Sequence, residues 1–336
     1  MADWTVKAAL DWTKEYLESK GDENPLLSSQ WLIGEACGLT RVQLYMNYDR
    51  PLSEDERGVL REYVRRRGAG EPLQYITGEV TFRHIPVKVR PGVLIPRPET
   101  EVLVSEVLAA LPAPGQREVR WSAEAAAQEG EAVEAVKKAL AEADLLEETL
   151  EDAEAVSRES GPRPLLVADL CTGTGCIACS LAYEHPDVRV IATDVAPEAV
   201  ALARENIEAL GLGERVAVLH CSLGSGIGEK RLGTFDAVVS NPPYVPTSVL
   251  ADIPREVADF EPALALDGGA DGLDLFRPLC AWAVRALRPG GILACELHEG
   301  HMDAAATVAR EAGFTEVHVV NDLADRPRVL MARKPS

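Results

Sequence analysis

Apolar positions along the chain follow two different periods. From residue 1 to about 72 they recur at helical spacing. "WTVKAALDWTKEYLESKG" reads as one helix that stops at Gly21, and "SSQWLIGEACGL" as a second with a serine cap and an end at Gly38. "SEDERGVLREYVRRRGAG" opens on Ser53 and acidic residues and closes on arginines and glycine, an order that suits the helix dipole. Arg61, Arg65, Arg66 and Arg67 read as a solvated face of that third helix. Residues 73–97 form short β-like runs broken by glycine and proline, which predicts a β-hairpin linker. "PETEVLVSEVLAAL" then predicts a helix with Pro98 near its start.

From residue 165 the period switches back and forth. "PLLVADL", "VRVIATD", "RVAVLHC", "TFDAVVS", "ILACEL", "EVHVVND" and "RVLMAR" read as strands. Between them "CIACSLAYEH", "APEAVALARENIEALG", "DLFRPLCAWAVRALRPGG" and "GHMDAAATVAREAG" read as helices. Such alternation predicts an α/β fold with a doubly wound, mostly parallel sheet, preceded by a small N-terminal helical domain. Ligands of these sheets bind at the carboxyl ends of the strands. The expected division is 1–72 helical, 73–97 hairpin linker and 98–336 the sheet domain. Residues 112–163 interrupt the last as an acidic insertion, with twelve acidic and three basic residues between Trp121 and Ser160.

Composition narrows the function. The 336 residues carry a formal net charge of -20, so the chain gains no general attraction to phosphate backbones. That weighs against a nucleic-acid partner. No apolar run approaches the roughly 20 residues needed to span a bilayer, and the N-terminus lacks an apolar signal core. We expect a cytoplasmic monomer with no membrane partner. Seven scattered cysteines suit reduced thiols packed as small hydrophobes. The Cys176-x-x-Cys179 pair has no second pair at matching spacing, so no metal site is expected.

Two strand ends carry a cofactor signature. "ADLCTGTGCIA" places Asp169 at the end of one strand and Gly173 and Gly175 in the turn, where a missing Cβ lets backbone approach a ligand. The spacing is not that of a dinucleotide fingerprint. One strand later Asp194 ends "IATD", placed to accept both hydroxyls of a ribose. The turn holds no basic clamp, so a pyrophosphate is disfavoured and a cationic sulfonium donor is favoured. This is the layout of S-adenosylmethionine-dependent methyltransferases. Asp169 is expected near the methionine portion of that donor, and Ser222 and Leu223 near its adenine.

The fourth strand ends in "SNPPYVP". Pro242 and Pro243 fix the backbone and remove two N–H donors. Carbonyl oxygens and the Asn241 side-chain oxygen are left to face the pocket, and Tyr244 offers a flat face. Acceptors without donors select a planar N–H₂ group, which belongs either to an exocyclic base amine or to a carboxamide.

"SNPPY", "DLCTGTG" and "TDVAPEA" resemble amino-group methyltransferases in general. "EPLQYITGEVTFRHIPVKVRPGVLIPRPETEVLV" and "EVADFEPALALDGGADGLDLFR" are more specific and resemble the peptide chain release factor glutamine methyltransferases, the PrmC/HemK family. The likeness spans the chain except residues 112–163. It implies a class I, Rossmann-like methyltransferase. It also implies methyl transfer from S-adenosylmethionine, leaving S-adenosylhomocysteine, to the glutamine of the Gly-Gly-Gln motif of release factors. By position Cys171, Thr172, Gly173, Thr174, Gly175, Asp194, Leu223 and Asn241 would line the donor. Arg97 and Glu99 of "PRPETE" would close over it. Asn241, Pro242, Pro243 and Tyr244 would hold the glutamine and carry catalysis, with Glu261 and Pro262 shaping the acceptor side. Two positions depart from the family pattern. Cys171 stands where glycine is frequent, and Ser222-Leu223 where some members have Asp-Trp. The rival reading is an amino-methyltransferase acting on a nucleic-acid base.

Overall fold

Seven strands pair in one sheet in the order β5-β4-β3-β6-β7-β9-β8. They are β3 (Leu165–Leu170), β4 (Val188–Asp194), β5 (Val216–His220), β6 (Phe235–Ser240), β7 (Leu287–Glu296), β8 (Thr315–Asn321) and β9 (Pro327–Arg333). The computed structural model describes residues 4–115 and 163–336. Most of the acidic insertion, 116–162, lies outside the described residues. Strands β5, β4, β3, β6 and β7 pair with one another in parallel, and β9 runs antiparallel to both β7 and β8. Every residue of β3 and β6 is buried, as expected of central strands covered on both faces. The chain moves outward from β3 through β4 to β5, then returns to β6 on β3's other side. That reversal is a topological switch point, where ligand crevices form.

The sheet unit holds α6 (Thr100–Ala110), α7 (Cys176–Glu184), α8 (Pro197–Ala209), α10 (Phe276–Ala286) and α11 (Met302–Glu311). One of its cores joins Leu166, Ala168, Leu170, Val238 and Leu293 of the sheet to Phe276, Leu279 and Ala283 of α10 and to Ala305 and Ala309 of α11. Helix α10 is shorter than the sequence suggested. Pro289 and Gly290 (φ 73°) cannot continue a helix, and Leu287 pairs with Phe235, so β7 begins five residues earlier than expected. Cys176 and Cys179 are fully packed in the first turn of α7, and burial pushes both thiols up, Cys176 to about 12.

The helical unit comprises 1–80, 89–92 and 252–262. Its helices are α1 (Val6–Ser19), α2 (Pro25–Cys37), α3 (Arg41–Met46), α4 (Glu54–Gly68), α5 (Leu73–Thr77) and the short α9 (Arg255–Ala258). Val6, Leu10, Leu17, Leu32, Ile33, Leu44, Leu60 and Val64 fill its core. Thr40 with Gln43 and Ser53 with Glu56 form reciprocal capping boxes. Helix α2 starts earlier than its serines suggested. Pro25 occupies the first turn, where a missing N–H costs nothing, and Ser28 is buried inside the helix. The arginine face of α4 is also not wholly solvated. Arg61 and Arg65 are exposed, but Arg67 is 11% exposed and bridges Asp22 at 2.6 Å and Glu256 at 3.0 Å. Arg66 pairs with Glu71 through two hydrogen bonds. The start of the expected hairpin segment is α5, closed by Gly78 (φ 83°). The hairpin itself is β1 (Glu79–Phe82) paired with β2 (Ile85–Lys88).

Candidate active site

Strand β3 delivers Asp169 to the carboxyl edge of the sheet, fully buried. Its Oδ2 accepts from the Thr172 hydroxyl at 2.6 Å and from the Ala178 N–H at 3.2 Å. Its Oδ1 is buried with no hydrogen-bond partner among the described residues. Burial raises its pKa to about 7, the nearby Asp194 charge adding to the rise. The turn after it reverses the chain through left-handed backbone at Cys171 (φ 60°), Gly173 (φ 56°) and Gly175 (φ 81°). Glycine removes the steric cost of that conformation, and at Cys171 the cost remains. A Cβ on Gly175 would also sit 3.2 Å from the Ala203 Cβ in α8, so the turn hugs that helix. Thr172 and Thr174 are buried.

Asp194 ends β4 and faces the same turn. Its Oδ2 accepts from the Gly173 N–H and its Oδ1 from the Ala196 N–H, both at 2.9 Å. Burial raises its pKa, and those backbone donors oppose the rise. After β5 the Cys221 N–H donates to the Asp194 carbonyl at 2.9 Å, which ties the next loop to β4. Ser222 is exposed there, and Leu223 adopts φ 48°. Gly224 lies under the Trp282 ring, leaving no room for a side chain.

Asn241 follows β6 directly, and its neighbour Ser240 donates through Oγ to the Leu170 carbonyl at 2.6 Å. This bond joins the ends of β3 and β6 across the switch point. The Asn241 Nδ2 donates to the Thr100 Oγ1 at 3.1 Å. Pro242 is buried, and Pro243 and Tyr244 are half-buried. The Tyr244 hydroxyl donates to Glu296 Oε1 at 3.4 Å. Burial and then the Glu296 charge push that phenol up. The loop after Leu266 grips Tyr244 from behind. Val245 donates to the Leu266 carbonyl and accepts from the Gly268 N–H, both at 2.8 Å. A Cβ on Gly268 would meet the Tyr244 Cα at 2.7 Å, and one on Gly272 would meet the Tyr244 carbonyl oxygen at 2.5 Å. The glycines of "LDGGADG" are there because backbone lies against backbone.

The sheet unit therefore brings together Asp169, the 171–175 turn, Asp194, Ser222, Leu223 and the 241–244 loop on strands and loops at one edge. Arg97 and Glu99 belong to the same unit, Glu99 forming an ion pair with Arg326 at 3.3 Å. Glu261 and Pro262 belong by contacts to the helical unit, and Glu261 is buried there. Sequence reasoning missed Thr100 and Glu296. Glu296 carried a usable signal, since an acid closing an apolar strand is what drew attention to Asp169 and Asp194. Thr100 carried none.

Residues 8–78 match the model of the PrmC N-terminal domain, and residues 164–253 match that of the methyltransferase small domain. Curated relatives named release factor glutamine methyltransferase align almost end to end. That of Geobacter sulfurreducens is 37% identical over 98% of this chain and 97% of its own. The Moorella thermoacetica protein is 36% identical over 98% of each, and the Rhodopirellula baltica protein 33% identical over 98% and 97%. Among solved structures the chain is similar to a methyltransferase from Pyrococcus furiosus, at 22% identity, 55% and 83% coverage and a TM-score of 0.40.

Proposed function

Because the chain belongs to the release factor glutamine methyltransferases, we propose that it methylates the side-chain amide nitrogen (N5) of the glutamine in the Gly-Gly-Gln motif of peptide chain release factors. S-Adenosylmethionine is the donor, and S-adenosylhomocysteine remains. The observation that carries this reading is the Ser240–Leu170 bond, which sets Asn-Pro-Pro-Tyr beside the glycine turn at the switch point. The residues fit the donor. The unpartnered buried oxygen of Asp169 suits a cation, and no basic residue stands between Cys171 and Gly175. When bound, the donor supplies an electrophilic methyl on a sulfonium.

The chain's own residues supply position and polarity. Asp169 and the turn hold the amino-acid end, Asp194 the ribose and Leu223 the base. Arg97 and Glu99 close that side. An amide nitrogen is a weak nucleophile because its lone pair is delocalised into the carbonyl. Asn241 Oδ1 and the Pro242 carbonyl each accept one of its two N–H bonds, which localises the lone pair toward the methyl. Tyr244 lies against the flat amide. In-line alignment provides much of the remaining acceleration, and the surplus proton departs after transfer. Residues 1–72 serve as the substrate-binding domain and 73–97 as the linker to the methyltransferase domain of 98–336. The enzyme acts in the cytoplasm as a monomer.

Purified protein, labelled donor, a release factor and nucleic acid in parallel reactions test this. Label is expected on the release factor and is expected to vanish when its Gly-Gly-Gln glutamine is changed to alanine. Label on nucleic acid instead overturns the reading.

A further inference from the structure

Strands β6 and β7 leave the sheet side by side. Ser240 pairs with Cys295, so Asn-Pro-Pro-Tyr after β6 runs level with Glu296, Leu297 and His298 at the end of β7. The Leu297 N–H donates to the Arg328 carbonyl at 3.0 Å and the His301 N–H to the His298 carbonyl at 2.9 Å, which pins the backbone around His298. The His298 ring centroid lies 6.4 Å from that of Tyr244 and 5.1 Å from that of His301. His301 in turn packs over Gly272, where a Cβ would meet both its ring and the Tyr244 carbonyl oxygen at 2.5 Å. The three rings brace one another, and His298 is exposed.

One backbone hydrogen bond decides what His298 can offer. The Gly300 N–H donates to its Nδ1 at 3.1 Å. A ring nitrogen that accepts carries no hydrogen, so the other nitrogen, Nε2, bears it and donates. That donor stands beside a wall short of donors. Pro242 and Pro243 have no N–H. The Val245 N–H is taken by the Leu266 carbonyl, Asn241 Nδ2 by Thr100 and the Tyr244 hydroxyl by Glu296. Such a wall suits the substrate N–H₂ but leaves the substrate's own carbonyl oxygens to be satisfied elsewhere. The two residues before the target glutamine are glycines, so only their peptide groups can be recognised. We propose that His298 is a substrate-binding residue, its Nε2–H donating to a main-chain carbonyl of the release factor beside the glutamine. This rests on the glutamine-methylation reading above and names the donor that the Asn-Pro-Pro-Tyr wall lacks.

The two ring nitrogens can be removed one at a time. Asparagine reproduces the reach of Nδ1, and glutamine that of Nε2. His298→Asn keeps a cap for the Gly300 N–H, since asparagine is a strong N-cap residue, and loses the outer donor. His298→Gln keeps an outer N–H and loses the cap. Measured for each are kcat and KM for a full-length release factor, donor affinity by calorimetry, and Tm. His298→Asn is expected to raise KM about tenfold, the effect of one lost hydrogen bond, with kcat and donor affinity within about twofold and Tm unchanged. His298→Gln is expected to keep KM within about threefold of wild type while its Tm falls. A residue that only caps the turn gives the opposite ranking. Wild-type KM in His298→Asn overturns the proposal, and so does a KM in His298→Gln raised as far as in His298→Asn. Either result with a wild-type enzyme that labels the release factor removes this inference alone. A wild-type enzyme that labels no release factor removes the functional reading itself, and the inference with it.

Discussion

The proposed donor half and the proposed acceptor half of the site are built by opposite means. Around Asp169 and Asp194, carboxylates accept from backbone N–H groups and a hydroxyl at most 21 positions away. Their shape comes from left-handed turns and close glycine packing. Around Asn241 and Tyr244 the ties are side chain to side chain, spanning 141 positions to Thr100 and 52 to Glu296. One half is local and charged. The other is assembled from four separate stretches of chain and depends on which atom donates. A fault in the donor half should therefore weaken binding or shift stability, and a fault in the acceptor half should stop chemistry.

The sharpest way to break this contrast is Asn241→Ala. It removes the proposed acceptor for one substrate N–H, and kcat is expected to fall about a thousandfold or more. Donor affinity should stay within about threefold, since the donor half is untouched. A variant with wild-type kcat would erase the distinction.

Gly268→Ala should be the next largest. Its new Cβ meets the Tyr244 backbone at 2.7 Å, and backbone cannot swing away. A loss of about 2–3 kcal/mol in stability, read by urea unfolding, and about a tenfold drop in kcat are expected. Equal losses in donor affinity would show that the two halves are not separable.

Asp169 gives the smallest and most diagnostic effect, a pH dependence of the donor half alone. Its folded pKa is raised from 3.8 to about 7, so the folded protein holds that proton more tightly than the unfolded chain. The stabilisation is fully present below about pH 4 and is lost as pH rises through about 7. The Tm of wild type should therefore fall across that window relative to Asp169→Asn. Parallel Tm curves would show that Asp169 is ionised throughout.

The donor half was legible in the chain for the same reason that it is local. An acid at a strand end followed by glycines is visible within a dozen residues, and both carboxylates lie on the expected strands. The Asn-Pro-Pro-Tyr motif was visible too, but not what stands behind it. Thr100 reads only as one residue of a helix start, and its partner is brought near by strand order rather than by spacing. Arg67 was misread for a related cause. Its helix shows a run of four-residue charge that looks solvated, and burial came from Glu256 and Asp22, far away in sequence. Ser28 and Ser29 misled because Asn24 and Pro25 start the helix first.

Arg67's second partner has a temporal consequence. Glu256 reaches the ribosome's exit roughly 190 residues after Arg67, on the order of ten to forty seconds later at ordinary rates of synthesis. The helical unit borrows 252–262 from within the sheet unit's sequence. Though it is made first, it waits through most of translation with the buried Arg67 guanidinium held by Asp22 and the Glu71 carbonyl, and is finished only when the chain has passed Pro262.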